Sequence, residues 1–77
     1  MRTSRYSRSA VVAARLRMRR RERELSQDEL AQQTGVPRSR ISDYENDNRP
    51  LLFEDALLIA EALDYPIERL AARGRLF

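Results

Sequence analysis

The chain has no cysteine and no histidine. Neither a disulfide nor a Cys/His metal site can staple it, and thiol nucleophiles, histidine general bases and the usual zinc ligands are excluded together. No metal and no cofactor is expected. Lysine is missing too, so all 15 basic side chains are arginine. There is no apolar run of about 18 residues and no signal-peptide pattern, which predicts a soluble, cytoplasmic protein without membrane contact. With 77 residues the chain allows one domain with a small core, close to the lower limit of independent stability. Added stability has to come from tight helix packing or from association. An enzyme built on carboxylates or serine would find little room for a closed pocket, and no catalytic activity is expected.

What is present is unevenly placed. Nine of the 15 arginines lie in the first 23 residues, where Glu22 is the one acid; the remainder holds six arginines and 11 acids. The modest net charge of +3 therefore hides a basic front half. Such asymmetry suits a polyanion partner. It is equally what a solvated helix face in an arginine-biased coding sequence would show.

Along the chain, residues 1–8 lack apolar periodicity and read as a flexible basic arm, either lying on phosphates or without a role. Ser9 can cap a first helix over 9–24, on which Val12, Leu16 and Arg20 share one face. Val11 and Met18 form a narrower stripe, either cover for the C-terminal tail or a surface for a partner chain. Ser26 and Glu29 make an S-x-x-E capping box that starts a second helix, with Leu30 and Ala31 turned inward. Gly35 ends it with the left-handed conformation a tight turn needs. Val36 and Pro37 lead into a third helix whose buried side carries Ile41 and Tyr44; a first-turn proline is tolerated there. Residues 46–50 are turn-rich. A fourth helix over 53–63 carries Phe53, Leu57, Ala60 and Leu63 at helical spacing, and a fifth over 67–73 ends at Gly74, leaving the apolar tail 75–77. No strand pattern and no internal repeat is visible. The chain is all-α, with one domain over 9–74.

Residues 27–46 satisfy the steric demands of a helix-turn-helix. Leu30, Val36, Ile41 and Tyr44 supply the inner face, Ala31 is small where two helices cross closely, and Gly35 makes the turn. Thr34 stands where an apolar residue would pack better.

From about Leu16 to Leu70 the sequence resembles the Cro/CI-type, or XRE-family, helix-turn-helix domain. The matching residues are Leu25-Ser26-Gln27, Glu29-Leu30-Ala31, Gly35-Val36, Ile41-Ser42, Glu45-Asn46, and Ala60 with Ala62-Leu63. The resemblance implies a five-helix, lambda-repressor-like helix-turn-helix bundle, here with an extended first helix. It further implies a third helix that enters the major groove of double-stranded DNA, and a homodimer on a two-fold operator. Gln27 would donate to a phosphate and brace residue 38, at a helix N-terminus suited to anions. Arg38 and Ser39 would read bases, arginine suiting the O6 and N7 of guanine. Ser42 and Asp43 continue that face; Asp43 either accepts from a cytosine amino group or is a solvated acid. Arg40 fits a phosphate, and Asn46, through its main-chain N–H, and Arg49 resemble the family's backbone clamp. Arg20 and Glu45 match positions that form a partly buried ion pair. An arginine on an apolar stripe is costly unless it is paired or snorkels to solvent.

Four positions depart from the family pattern. Arg19 stands where an apolar residue is common, which would thin the packing of the first helix. Asp47 replaces a glycine, while Leu52 and Pro37 replace capping residues. The function implied is a sequence-specific transcriptional regulator, Cro-like in lacking a separate effector or dimerisation domain, with no small-molecule effector. The alternative keeps the fold for protein contact, as in an antitoxin or anti-repressor subunit, and the Val11/Met18 stripe and the tail favour it. A dimer interface would fall on the fifth helix, the tail or the first helix.

Overall fold

In the computed structural model the described residues form five α-helices joined by short connections: α1 (Thr3–Glu22), α2 (Gln27–Thr34), α3 (Arg38–Glu45), α4 (Phe53–Ala62) and α5 (Ile67–Leu70). The structure describes residues 3–70, with side chains from Ala10 onward, and no strand occurs among them. Residues 1–2, the expected end of the fifth helix at Gly74 and the apolar tail 75–77 lie outside the described residues. Helix α1 starts at Thr3, ahead of Ser9, so the backbone of residues 3–8 is helical where an arm was expected.

The core is drawn from every helix. Val12 and Leu16 of α1, Leu30 of α2, Ile41 and Tyr44 of α3, Ile59, Ala60 and Leu63 from α4 and its cap, and Leu70 of α5 form one buried cluster with Val36. Helix α1 packs on α3 and α5, and α2 packs on α3 and α4, which leaves the outer faces of α2 and α3 side by side. The face that α4 turns inward agrees with the expected one at Ala60 and Leu63 and departs from it at Phe53 and Leu57. Ala56, Ile59, Ala60 and Leu63 are buried, while Phe53 is 69% exposed and Leu57 45%. Helix α4 is apolar on nearly every side, so spacing alone does not choose among its stripes.

Helix ends explain where each element stops. The capping box at the start of α2 is formed: the Glu29 N–H donates to Ser26 Oγ at 3.0 Å and the Ser26 N–H to Glu29 Oε1 at 2.8 Å. Gly35 closes α2 at φ 81°, its N–H donating to the Ala31 carbonyl at 2.8 Å. A Cβ at Gly35 would meet nothing within 4 Å, so it is the backbone angle, and not space, that calls for glycine. Thr34 has a use that its unfavourable packing position hides. Its hydroxyl donates to the Leu30 carbonyl at 2.8 Å and accepts from the Val36 N–H at 3.1 Å, tying the turn together. Neither Pro37 nor Leu52 makes a side-chain cap for the helix it precedes.

The other three connections share one device, with an acid in place of glycine. Glu24, Asp47 and Asp64 adopt positive φ of 57°, 59° and 52°. At each, two N–H groups turn back to the preceding helix in the Schellman pattern; after α1, Glu24 donates to the Arg21 carbonyl at 2.9 Å and Leu25 to that of Arg20 at 3.1 Å. This pattern satisfies the last helical carbonyls. The left-handed conformation crowds the Cβ of any L-residue, and a negative charge opposes the helix dipole at that end. Glu24 lacks the short polar side chain that eases this conformation for Asp. Glu24→Gly is therefore expected to stabilise the fold by about 0.5–1 kcal/mol, after allowing for the extra backbone entropy glycine loses on folding. Urea unfolding checks it; an unchanged or lowered midpoint would show that the turn is unstrained.

Candidate nucleic-acid interface

Helix α3 divides cleanly into two faces. Ile41, Tyr44 and Glu45 are buried, whereas Arg38 and Ser39 in the first turn are exposed and Ser42 and Asp43 are half-buried behind them. The division follows the helical period. Beside this outward face lies the N-terminus of α2, where Gln27 is half-buried and the first-turn amide groups suit anions.

What fixes α3 in place is a buried carboxylate. Glu45 is 3% exposed. Arg20 meets it in a two-pronged pair, Nε to Oε2 at 2.6 Å and Nη2 to Oε1 at 2.8 Å. Gln27 Nε2 adds a third donor to Oε1 at 3.1 Å. The same guanidinium gives its Nη1 to the Leu25 carbonyl at 2.8 Å. Arg20 thus ties α1, the start of α2 and the end of α3 together, and its hydrogen bonds to Glu45 hold its pKa above the ordinary value against the opposing effect of burial. Gln27 turns its amide to Glu45; the bracing partner of Arg38 is instead Asp28, whose Oδ1 lies 3.4 Å from Arg38 Nε.

A second buried carboxylate, which sequence reasoning missed, anchors the other side of α3. Asp55 of α4 is 6% exposed. Its Oδ2 accepts from Arg40 Nη1 at 2.9 Å and from the Tyr44 hydroxyl. Arg40, expected to fit a phosphate, in this way gives one of its donors to α4. Burial first, and then the bond to Asp55, push the Tyr44 hydroxyl pKa above its ordinary value. A signal for this site existed: Asp55 stands four residues before Ile59 on the inward stripe, and a buried acid requires donors.

The loop after α3 gathers the remaining residues. Arg49 Nε lies 3.3 Å from Asp43 Oδ2, and Asn46 Nδ2 donates to Ser42 Oγ at 3.4 Å. The main-chain N–H of Asn46, expected to be free for a phosphate, donates to the Ser42 carbonyl at 3.0 Å. Its side-chain amide is the group left to act outward.

Much of the basic front half is used within the protein. Arg15 Nη1 donates to the Arg69 carbonyl at 2.9 Å and Arg17 Nη1 to that of Glu45 at 3.0 Å. Arg19 donates to the carbonyls of Leu63 and Asp64, each at 3.0 Å, and its guanidinium lies 5.5 Å from the centroid of the Tyr65 ring. The expectation that Arg19 thins the packing is corrected here. It docks α1 on the C-terminal end of α4, where a cation meets the negative end of the dipole.

Two short helices crossing at a glycine turn, the second presenting a polar face while its inner face is locked to the bundle, define a helix-turn-helix protein. The helix-turn-helix family matches residues 16–70, and the chain belongs to it. It is of the XRE type, a class of DNA-binding transcription regulators. Among solved structures the chain is similar to the restriction-modification controller protein C.AhdI from Aeromonas hydrophila. The two are 32% identical with a TM-score of 0.79, over 84% of this chain and 98% of that one. No curated protein sequence matches the chain significantly. Among the described residues no helix is long and apolar enough to cross a membrane, and no cluster of His, Cys, Asp or Glu is arranged for a metal ion.

Removing one partner of a buried pair leaves the other charge uncompensated. Glu45→Ala is expected to cost about 3–5 kcal/mol, enough to populate the unfolded state of a domain this small. Denaturant titration measures it. A loss below about 1 kcal/mol, the worth of an exposed pair, would show that Glu45 does not anchor α3.

Proposed function

We propose that this protein is a sequence-specific transcriptional regulator that binds a two-fold operator as a homodimer, with α3 in the major groove, and acts by occluding a promoter. The observation that carries this reading is the contrast within α3: Arg38 and Ser39 stand exposed at its start, while Glu45 and Tyr44 are fixed on its inner side. A reading helix has to be held rigidly and present free donors, and this one does both. Arg38 offers a two-pronged contact to guanine O6 and N7, with Ser39, Ser42 and Asp43 completing the base-reading face. Gln27, the Asn46 side chain and Arg49 surround it as phosphate contacts. Arg40 offers the guanidinium donors that Asp55 leaves over. Similarity to a controller protein supports transcriptional control over other uses of the fold.

Two reading heads are needed for useful operator affinity, and α4 supplies the surface for pairing. Leu52, Phe53, Leu57 and Leu58 are all exposed within two turns, a concentration of large apolar side chains that marks an interaction site. It adds α4 to the segments on which an interface was expected. The same patch is the observation that favours the alternative, an antitoxin-like or anti-repressor subunit that uses the fold to hold another protein.

Titration against duplexes selected from a random pool tests the reading. Arg38→Ala is expected to lose about 5- to 100-fold in affinity for the selected site and to relax the preference at one guanine. Unchanged affinity and preference would remove Arg38 from the base-reading role, and a tight protein partner with no salt-sensitive DNA binding would select the alternative.

Phe53→Glu is expected to weaken dimerisation roughly 30-fold or more, as for a central aromatic anchor, with helicity retained. Sedimentation equilibrium reads the change. An unaltered association constant would place the interface elsewhere.

A further inference from the structure

Asp28 is out of place on a surface built for DNA. It lies in the first turn of α2 beside Gln27, with its side chain 70% exposed, and its Oδ1 is 3.4 Å from Nε of Arg38, itself 61% exposed. Starting α2 does not require it, since the capping box is made by Ser26 and Glu29. As an acid in the first turn of α2 it adds about 0.3–1 kcal/mol through the helix dipole, and its exposed pair with Arg38 adds at most about 1 kcal/mol in water. Against a DNA backbone a carboxylate opposes the attraction that drives non-specific binding.

The geometry gives the acid a different use. Its Oδ1 lies beside the Nε edge of the Arg38 guanidinium, so the nitrogens it meets are not the two terminal ones, Nη1 and Nη2. Those two nitrogens form the fork that matches a pair of acceptors such as guanine O6 and N7. An arginine at the start of a helix otherwise samples many rotamers, and a bias toward one in advance lowers the entropy lost on binding. When DNA excludes water from the pair, the attraction between Asp28 and Arg38 also strengthens. Across the face Arg49 Nε lies 3.3 Å from Asp43 Oδ2, so two arginines on this surface each stand beside an acid from a neighbouring segment.

We infer that Asp28 is a specificity-determining residue, which aims the Arg38 guanidinium at one guanine and disfavours DNA that lacks it. The inference rests on the base-reading role proposed for Arg38. Asp28 acts through Arg38 and is a positioning residue.

The test compares the full chain with Asp28→Asn, Arg38→Ala and the double variant, using selection from a random duplex pool. Competition titrations of the selected duplex against a scrambled one, at fixed salt, complete it. Asp28→Asn is expected to bind the scrambled duplex roughly two- to fivefold more tightly, through loss of one repelling charge. Its preference for the guanine should fall about two- to fivefold, with helicity retained. Arg38→Ala should abolish that preference, and adding Asp28→Asn to it should change the preference no further. If Asp28→Asn keeps the full preference while Arg38→Ala loses it, the positioning role falls and the base-reading role stands. If Arg38→Ala keeps the preference, the base-reading role falls and the inference falls with it. An equal loss from Asp28→Asn in both backgrounds would show Asp28 contacting a base directly, which also overturns the inference.

Discussion

A carboxylate almost sealed from solvent must be matched by donors from the protein, and Glu45 is matched by three: Arg20 Nε, Arg20 Nη2 and Gln27 Nε2. Those donors come from α1 and from the first residue of α2, so the charge cannot be satisfied unless three elements meet at one point. Hydrophobic burial brings α1 and α3 together through Leu16, Ile41 and Tyr44, but burial is indifferent to small rotations of a helix about its axis. A two-pronged guanidinium–carboxylate pair is directional. It is this pair that sets the fine rotation of α3 about its axis, and with it the placement of Arg38 and Ser39 on the outward face.

The same logic recurs around the bundle. Asp55 holds α3 from the α4 side through Arg40 and Tyr44, so the short α3 is gripped along both flanks. Elsewhere α1 acts as a comb of guanidinium groups: Arg15, Arg17 and Arg19 each reach carbonyls of another helix or its end. Such carbonyls lack intrahelical partners, and arginine reaches them with its aliphatic stem packed on the domain and its charge at the negative end of a dipole. In a chain with only two glycines and neither lysine nor histidine, arginine does much of the work of ending helices and joining them. Among the described side chains of the basic front half, Arg15, Arg17, Arg19 and Arg20 are thus structural.

These two uses of charge mark what the sequence could disclose. The Ser26/Glu29 box and Gly35 are local, each defined by contacts within a few residues, and they read directly. Arg20 was legible as an anomaly, a charge on the Val12/Leu16 stripe. Arg19 was not: its partners, the Leu63 and Asp64 carbonyls, are main-chain groups that carry no sequence signature. Helix α4 concealed its inward face because Phe53, Leu57 and Leu58 are as apolar as Ile59 and Leu63, and only the position of Asp55 against Arg40 and Tyr44 distinguishes the stripes. Arg40 and Asp28 were obscured likewise, since a pairing between helices depends on how each is rotated, which no single helix encodes.

Pairing through the exposed patch would give helix α4 a double role. Its first turns carry the exposed Leu52, Phe53 and Leu57, and between them Asp55 grips Arg40 and Tyr44 of α3. In a dimer paired through that patch, the path from one reading helix to its partner runs α3, Asp55, α4, then the two-fold axis, with no loop intervening. Loops deform at low cost, whereas a buried carboxylate bonded between packed helices does not. The spacing of the two heads would therefore be set by one rigid helix and one buried carboxylate on each side. A two-fold operator demands such rigidity, because its half-sites recur at a fixed helical repeat.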